Sequence, residues 1–186
     1  MARTGLGALA ALLLGWGVQG VQAHDLRPFQ EAGRSHVIHE DVSPSGTEPI
    51  NVETYVPAAC TAKPCPLLIA IHGLERNAET ARDNWIEAAE RHGLLIAAPF
   101  PTRLFQQGGV RDEADPARWL YASIERFFDR ALSSGRVAGT GYVLFGHSAG
   151  AQFVHRMALL MPAARFSTAI SANAGYYTLP LRGEAG

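Results

Sequence analysis

What is scarce in this sequence already narrows its chemistry. It has two cysteines, Cys60 and Cys65, among 186 residues, separated by Thr61-Ala-Lys-Pro64. That spacing does not fit a Cys-x-x-Cys redox pair, and a zinc site would need further ligands nearby. There is no surplus of charge: the formal net charge is −1, which gives no electrostatic case for a nucleic-acid or anionic-membrane partner. No glycine-rich phosphate loop or dinucleotide fingerprint occurs, so nucleotide chemistry is unsupported and no cofactor is implied. His24, His36, His39 and His92 read as surface or edge residues with no metal spacing. The apolar run Leu6–Val18 is thirteen residues long, short of the roughly 20 a membrane helix needs. After Ser148 the chain has no Asp, one His (His155) and one Glu (Glu184).

What is present is globular: 47% of residues are hydrophobic and 18% charged, in a length that suits one domain. Residues 1–23 read as a leader, with Arg3 before the apolar run and Val21-Gln-Ala23 as a cleavage signal. Cleavage before His24 leaves a domain over 24–186 in a secreted or periplasmic protein, and no stable membrane anchor; an uncleaved anchor is the alternative. Export favours pairing of Cys60 with Cys65 across a short loop.

Periodicity then predicts strands at Ser35–Val42, Ile50–Val56, Leu67–Ile71, Leu94–Ala98, Tyr142–Phe145 and Phe166–Ala174. Helices are expected over Asn77–His92, Ala117–Leu132 and Ala149–Met161. Asp83, next to Arg82 and near Arg76, is expected to hold the start of the first helix by charge pairing. Residues 102–116 read as loop, with Asp112, Glu113 and Asp115 as a solvated face. Trp85, Trp119, Phe127 and Phe128 read as core. The run Leu67–Ile71 has no polar residue, as a strand buried on both faces requires. Strands alternating with helices give an α/β class: a mostly parallel central sheet with helices on both faces.

The chemistry concentrates at Tyr142-Val-Leu-Phe-Gly-His-Ser-Ala-Gly150. An apolar strand runs into Gly146-His147-Ser148-Ala149-Gly150, and a helical pattern follows. A turn that sharp strains Ser148 and needs small residues two positions to either side, which Gly146 and Gly150 supply. It leaves the Ser148 hydroxyl at the end of a sheet beside the first amides of a helix.

With Ile71-His72-Gly73, Arg76-Asn77-Ala78, Arg82-Asp83-Asn84-Trp85 and Ser171-Ala-Asn-Ala-Gly-Tyr-Tyr177, this turn resembles the α/β-hydrolase superfamily over residues 35–178. Its likeness is nearest to secreted polyhydroxybutyrate-depolymerase-like and feruloyl-esterase-like serine hydrolases. The resemblance implies Ser148 as catalytic nucleophile, with one oxyanion donor at the Ala149 backbone N–H and a second at Leu74 or Glu75. His72 and Gly73 then shape the oxyanion loop, and His147 packs or hydrogen-bonds beside the elbow. Tyr176 and Tyr177 follow the last strand, where loops of this fold line the pocket; they read as packing residues, with contact of one of them to substrate as the alternative. The implied partner is an ester-bearing small molecule or polymer.

In that superfamily the acid and the histidine follow the serine along the chain. Here the stretch after Ser148 offers only His155, seven residues on and roughly 10 Å along a helix, beyond a general base's reach. The expectation is therefore a hydrolase fold incomplete at its C-terminal end, with the triad acid and histidine outside this chain. A truncated inactive protein and a noncatalytic binding module on the same fold are the alternatives.

Overall fold

Strand pairing follows the apolar pattern closely. The computed structural model describes residues 27–41, 49–100 and 114–179. The expected leader, His24, Val42, Asp112, Glu113 and Glu184 lie outside the described residues. The described elements are, in chain order, β1 (Gly33–His39), β2 (Ile50–Val56), β3 (Leu67–Ile71), α1 (Ala78–Asp83), α2 (Ile86–His92), β4 (Leu95–Phe100), α3 (Leu120–Ser133), β5 (Tyr142–His147), α4 (Ala149–Leu160) and β6 (Phe166–Ala172). The six strands form one sheet in the order β1-β2-β4-β3-β5-β6. The β1–β2 and β2–β4 pairs are antiparallel, while β3–β4, β3–β5 and β5–β6 are parallel.

β3 is buried along its whole length, as an all-apolar strand at the centre of a covered sheet must be. Its alternate residues feed two cores. Leu67, Ile69 and Ile71 join Leu95, Ala97 and Leu144 under Tyr121, Ile124 and Phe128 of α3 and Phe153, Val154 and Met157 of α4. Leu68, Ala70 and Ile96 pack on the other face against Ala89 and Trp85. Helices thus cover both faces, and the expected α/β class is the one observed. α3 earns its place through a stripe at helical spacing, Leu120, Ile124, Phe127, Phe128 and Ala131, all buried.

Several boundaries differ from the periodic reading. β1 is shifted to Gly33–His39. The single helix expected over Asn77–His92 is two helices, because Trp85 leaves the first (its N–H donates to Arg82 O at 3.0 Å) and caps the second. The Trp85 ring stands edge-on to Phe145 at 4.9 Å, a tertiary contact that fixes the break. α3 starts at Leu120 rather than Ala117, since Trp119 is extended (ψ 147°) after a short 3₁₀ turn over Pro116–Arg118. Asp115 is exposed and accepts from the Ala117 N–H at 3.0 Å, so it caps that turn.

Two polar expectations are overturned. Asp83 does not open α1 but ends it; the start is capped by Asn77, whose Oδ1 accepts from the Thr80 N–H at 2.8 Å. Asp83 pairs with Arg82 at 2.8 Å and with Arg34 at 3.0 Å, not with Arg76. Arg82, buried, also reaches Glu53 on β2 at 2.7 Å, which ties α1 to the sheet. His39 is a core residue rather than a surface one: it is 5% exposed and meets the Phe127 ring edge-on at 5.6 Å. Burial pushes its imidazole down to about 4, the Asp41 carboxylate only partly offsetting this and Arg130 and Arg126 adding to it.

Cys60 and Cys65 form a disulfide with their Cα atoms 5.7 Å apart. Both are buried, and the Cys65 backbone bonds to Arg136 O and Ala138 N, so the short loop is fastened beside the sheet. Among the described residues, no helix is long and apolar enough to cross a membrane, and no cluster of His, Cys, Asp and Glu could hold a metal ion.

Candidate active site

Because β3, β4, β5 and β6 run parallel, their C-terminal ends share one edge of the sheet. This is where ligands bind in open α/β sheets. β5 ends at His147 and α4 begins at Ala149, so a single residue, Ser148, reverses the chain. It does so at φ 57° and ψ −118°, a conformation that L side chains occupy only when the surroundings impose it, at a cost of about 1–3 kcal/mol.

The surroundings impose it from both sides. The Ser148 N–H donates to Ala172 O on β6 at 3.0 Å, and the Ser148 carbonyl accepts from the N–H groups of Ala151 and Gln152 at 3.0 and 3.2 Å. The flanking glycines have no substitute. A Cβ on Gly146 would stand 2.2 Å from Gly150 O, and one on Gly150 would stand 2.3 Å from Ile71 O and 2.7 Å from His72 O. The start of α4 therefore lies directly on the end of β5 and the end of β3. Ser148 itself is half-buried, so the turn does not enclose it fully.

The loop after β3 is brought against it. A Cβ on Gly73 would lie 3.7 Å from Ser148 Cβ and 3.6 Å from His147 O. A turn then runs from Gly73 to Arg76, closed by the Arg76 N–H donating to Gly73 O at 3.1 Å. Leu74 and Glu75 are its exposed middle residues. Ala149 is the first residue of α4, and the first N–H groups of a helix have no intrahelical acceptor. The Gly73–Arg76 turn and the first turn of α4 thus meet at the serine.

His72 is buried with its ring 5.5 Å from Phe100, and its Nδ1–H donates to Gly73 O at 2.8 Å. Burial lowers its proton affinity; the bond to Gly73 pulls the other way, and the Arg76 charge adds to the lowering. The ring is thus bonded to the backbone of the first residue of the turn. His147 is exposed, and its Nε2 accepts from Asn173 Nδ2 at 3.3 Å. His155 Nε2 accepts from the Thr178 N–H at 2.5 Å, and its ring lies 5.1 Å from Tyr177. Tyr176 packs under the Arg156 guanidinium at 5.5 Å. Both tyrosines, half-exposed, therefore pack two turns along α4 rather than on the serine.

Asn173 belongs to the run 171–177 that carries the resemblance, but the sequence pattern assigns it no role. It follows β6 in the left-handed region (φ 55°), and it joins that strand to His147. An Asn just after an apolar strand is the residue, besides Gly, that most readily takes this conformation. Ser171 Oγ adds a second tie, donating to Ala151 O at 2.9 Å.

No protein-family model matches the chain, and no curated protein does. Solved structures do. Poly(aspartic acid) hydrolase-1 from Sphingomonas sp. KT-1 is 35% identical with a TM-score of 0.71, over 81% of this chain and 60% of that one. LpqC, a poly(3-hydroxybutyrate) depolymerase from Bordetella parapertussis, is 34% identical with a TM-score of 0.74, over 81% and 55%. Acetyl xylan esterase from Aspergillus awamori shares the fold alone, at 18% identity and a TM-score of 0.56, over 72% and 49%. The chain thus spans little more than half the length of the first two. Its mostly parallel sheet, its strand-turn-helix at Ser148 and these likenesses identify it as a member of the α/β-hydrolase superfamily.

Proposed function

We propose that Ser148 is the nucleophile of an exported serine hydrolase that cleaves a carboxylic ester. The observation that carries this is the strained backbone of Ser148, wedged between glycines that admit no side chain and facing the Gly73–Arg76 turn. Ser148 Oγ attacks the ester carbonyl carbon and gives up its proton to a base. The negative charge that develops on the carbonyl oxygen is received by the N–H of Ala149 and that of Leu74 or Glu75; loss of one such donor costs about 3–4 kcal/mol in a comparable site. The alcohol leaves with a proton, an acyl-serine remains, and water releases the acid.

Among the described residues, no histidine hydrogen-bonds Ser148, and His155 is engaged by Thr178. The base and the acid of the mechanism therefore belong to residues beyond those described. The neighbours at about one-third identity are named for the hydrolysis of polymers; one of these, poly(3-hydroxybutyrate), is a polyester, which favours an ester-bearing polymer or its fragments as substrate. The buried Cys60–Cys65 disulfide supports a secreted or periplasmic setting.

The full-length parent protein, treated with a fluorophosphonate probe and digested, should carry the label on the peptide containing Ser148. The Ser148→Ala variant should carry none. An unlabelled Ser148 in folded protein would remove the nucleophile assignment.

A further inference from the structure

Within Arg76-Asn77-Ala78 one side chain serves neither the fold nor the elbow. Asn77 caps α1 and Ala78 is buried against the sheet. Arg76 is half-buried and does neither. Its φ of +56° belongs to a position where Gly or Asn is at home, yet a long cation occupies it. Among the described residues no carboxylate pairs with it, although Glu75 is its neighbour in the chain. Other arginines here find carboxylates readily: Arg34 reaches Asp83 with more than half of its side chain exposed, Arg126 reaches Asp41, and Arg165 reaches both Glu125 and Asp129.

Its location gives the unpaired charge a use. Arg76 closes the turn whose first residue, Gly73, stands against Ser148. The ends of such a turn are within about 7 Å of each other, so the Arg76 backbone lies near the elbow, and an arginine side chain is long enough to reach a substrate held there. Its field already reaches the His72 ring. A guanidinium presents a planar fork of donors that matches a carboxylate.

We propose that Arg76 binds a free carboxylate of the substrate, a few bonds from the scissile ester. The preferred substrate is then an acidic ester, such as the carboxylate-bearing end of an oligomer or polymer, rather than a neutral lipid ester. This rests on the reading of Ser148 as the nucleophile, and the test separates the two. Binding is measured on the full-length protein carrying Ser148→Ala, which stops turnover, with monoethyl adipate and diethyl adipate as probes. These share an acyl chain and differ by one charge. Amide NMR shifts at Leu74, Glu75 and Ala149 report the titration.

Adding Arg76→Gln should shift the monoester-to-diester affinity ratio by about tenfold against the acid, the loss expected for one charge-assisted contact. Arg76→Gly, which also relaxes the backbone, should do the same, and Arg76→Lys should keep part of the preference. Raising the salt should erode the ratio in the Arg76 protein alone. An affinity ratio unchanged in both Arg76→Gln and Arg76→Gly, or one indifferent to salt when Arg76 is present, overturns the proposal. Neither result depends on whether Ser148 reacts with the fluorophosphonate.

Discussion

Replacing Ser148 by glycine should make the protein more stable, and the amount follows from the turn. At φ 57° and ψ −118°, any residue with a Cβ is strained by about 1–3 kcal/mol, and glycine is not. Glycine gives back part of that relief through the larger freedom of its unfolded chain, about 0.5–1 kcal/mol. The serine hydroxyl makes no capping bond to α4, so nothing is lost there. Alanine is the proper reference, because it deletes the hydroxyl and keeps the Cβ. Ser148→Gly should therefore exceed Ser148→Ala by about 1 kcal/mol, and its melting temperature by about 2–4 °C for a domain of this size. Urea unfolding with a common slope measures the difference directly. Equal stabilities, or a less stable glycine variant, would mean that the turn stores no strain at Ser148, and the argument for a forced nucleophile would fail.

Three further outcomes follow from other parts of the fold. Gly150→Ala pits helix propensity, which favours alanine by about 1 kcal/mol, against a Cβ placed 2.3 Å from Ile71 O and 2.7 Å from His72 O. The clash is with backbone, so denaturant titration should show destabilisation of about 3 kcal/mol, and a more stable variant would contradict the packing. Removing the disulfide with Cys60→Ala and Cys65→Ala should cost about 2 kcal/mol for so short a loop, read as a melting shift that reductant reproduces in the parent and not in the variant. His39, held down to about 4 by burial, is neutral in the folded chain while the unfolded chain takes up its proton below about 6.5. Stability should therefore fall by about 1.4 kcal/mol per pH unit between pH 6.5 and 4, and His39→Gln should flatten that slope. Asp41 does not oppose this in the same window: burial pulls its carboxyl up, but Arg126 and Ser123 hold it below the usual range, so its contribution is lost only at still lower pH.

Local patterns were readable and contacts between distant residues were not. β3 announces itself because five apolar residues in a row suit a strand covered on both faces, and Ser148 because its turn demands glycine at two fixed positions. The break between α1 and α2 is invisible in a periodicity that runs on through it; what decides it is the Trp85 ring seeking Phe145, sixty residues away. The burial of His39 was within reach. It lies two residues from Val37, and residues two apart in a strand share a face, but a histidine at a strand end invites a surface reading. The same period could not have joined Asn173 to His147, which needs the β5–β6 register as well as the left-handed turn after β6.

That register bears on how the site is held. The elbow rests on β6 through three separate ties: the Ser148 N–H on Ala172 O, Ser171 Oγ on Ala151 O, and Asn173 on His147. Yet β6 lies at one end of the strand order and is half-buried to exposed along its whole length, whereas β3, on the other side of the elbow strand, is wholly buried. The two supports are therefore unequal. The glycine contacts to Ile71 and His72 belong to the firm side, and they fix where α4 starts. The bonds to β6 belong to the side with little apolar burial of its own, where local opening costs least. The Ser148 amide, held in its strained position by a carbonyl of β6, thus depends on the less buried of the two strands that support the elbow.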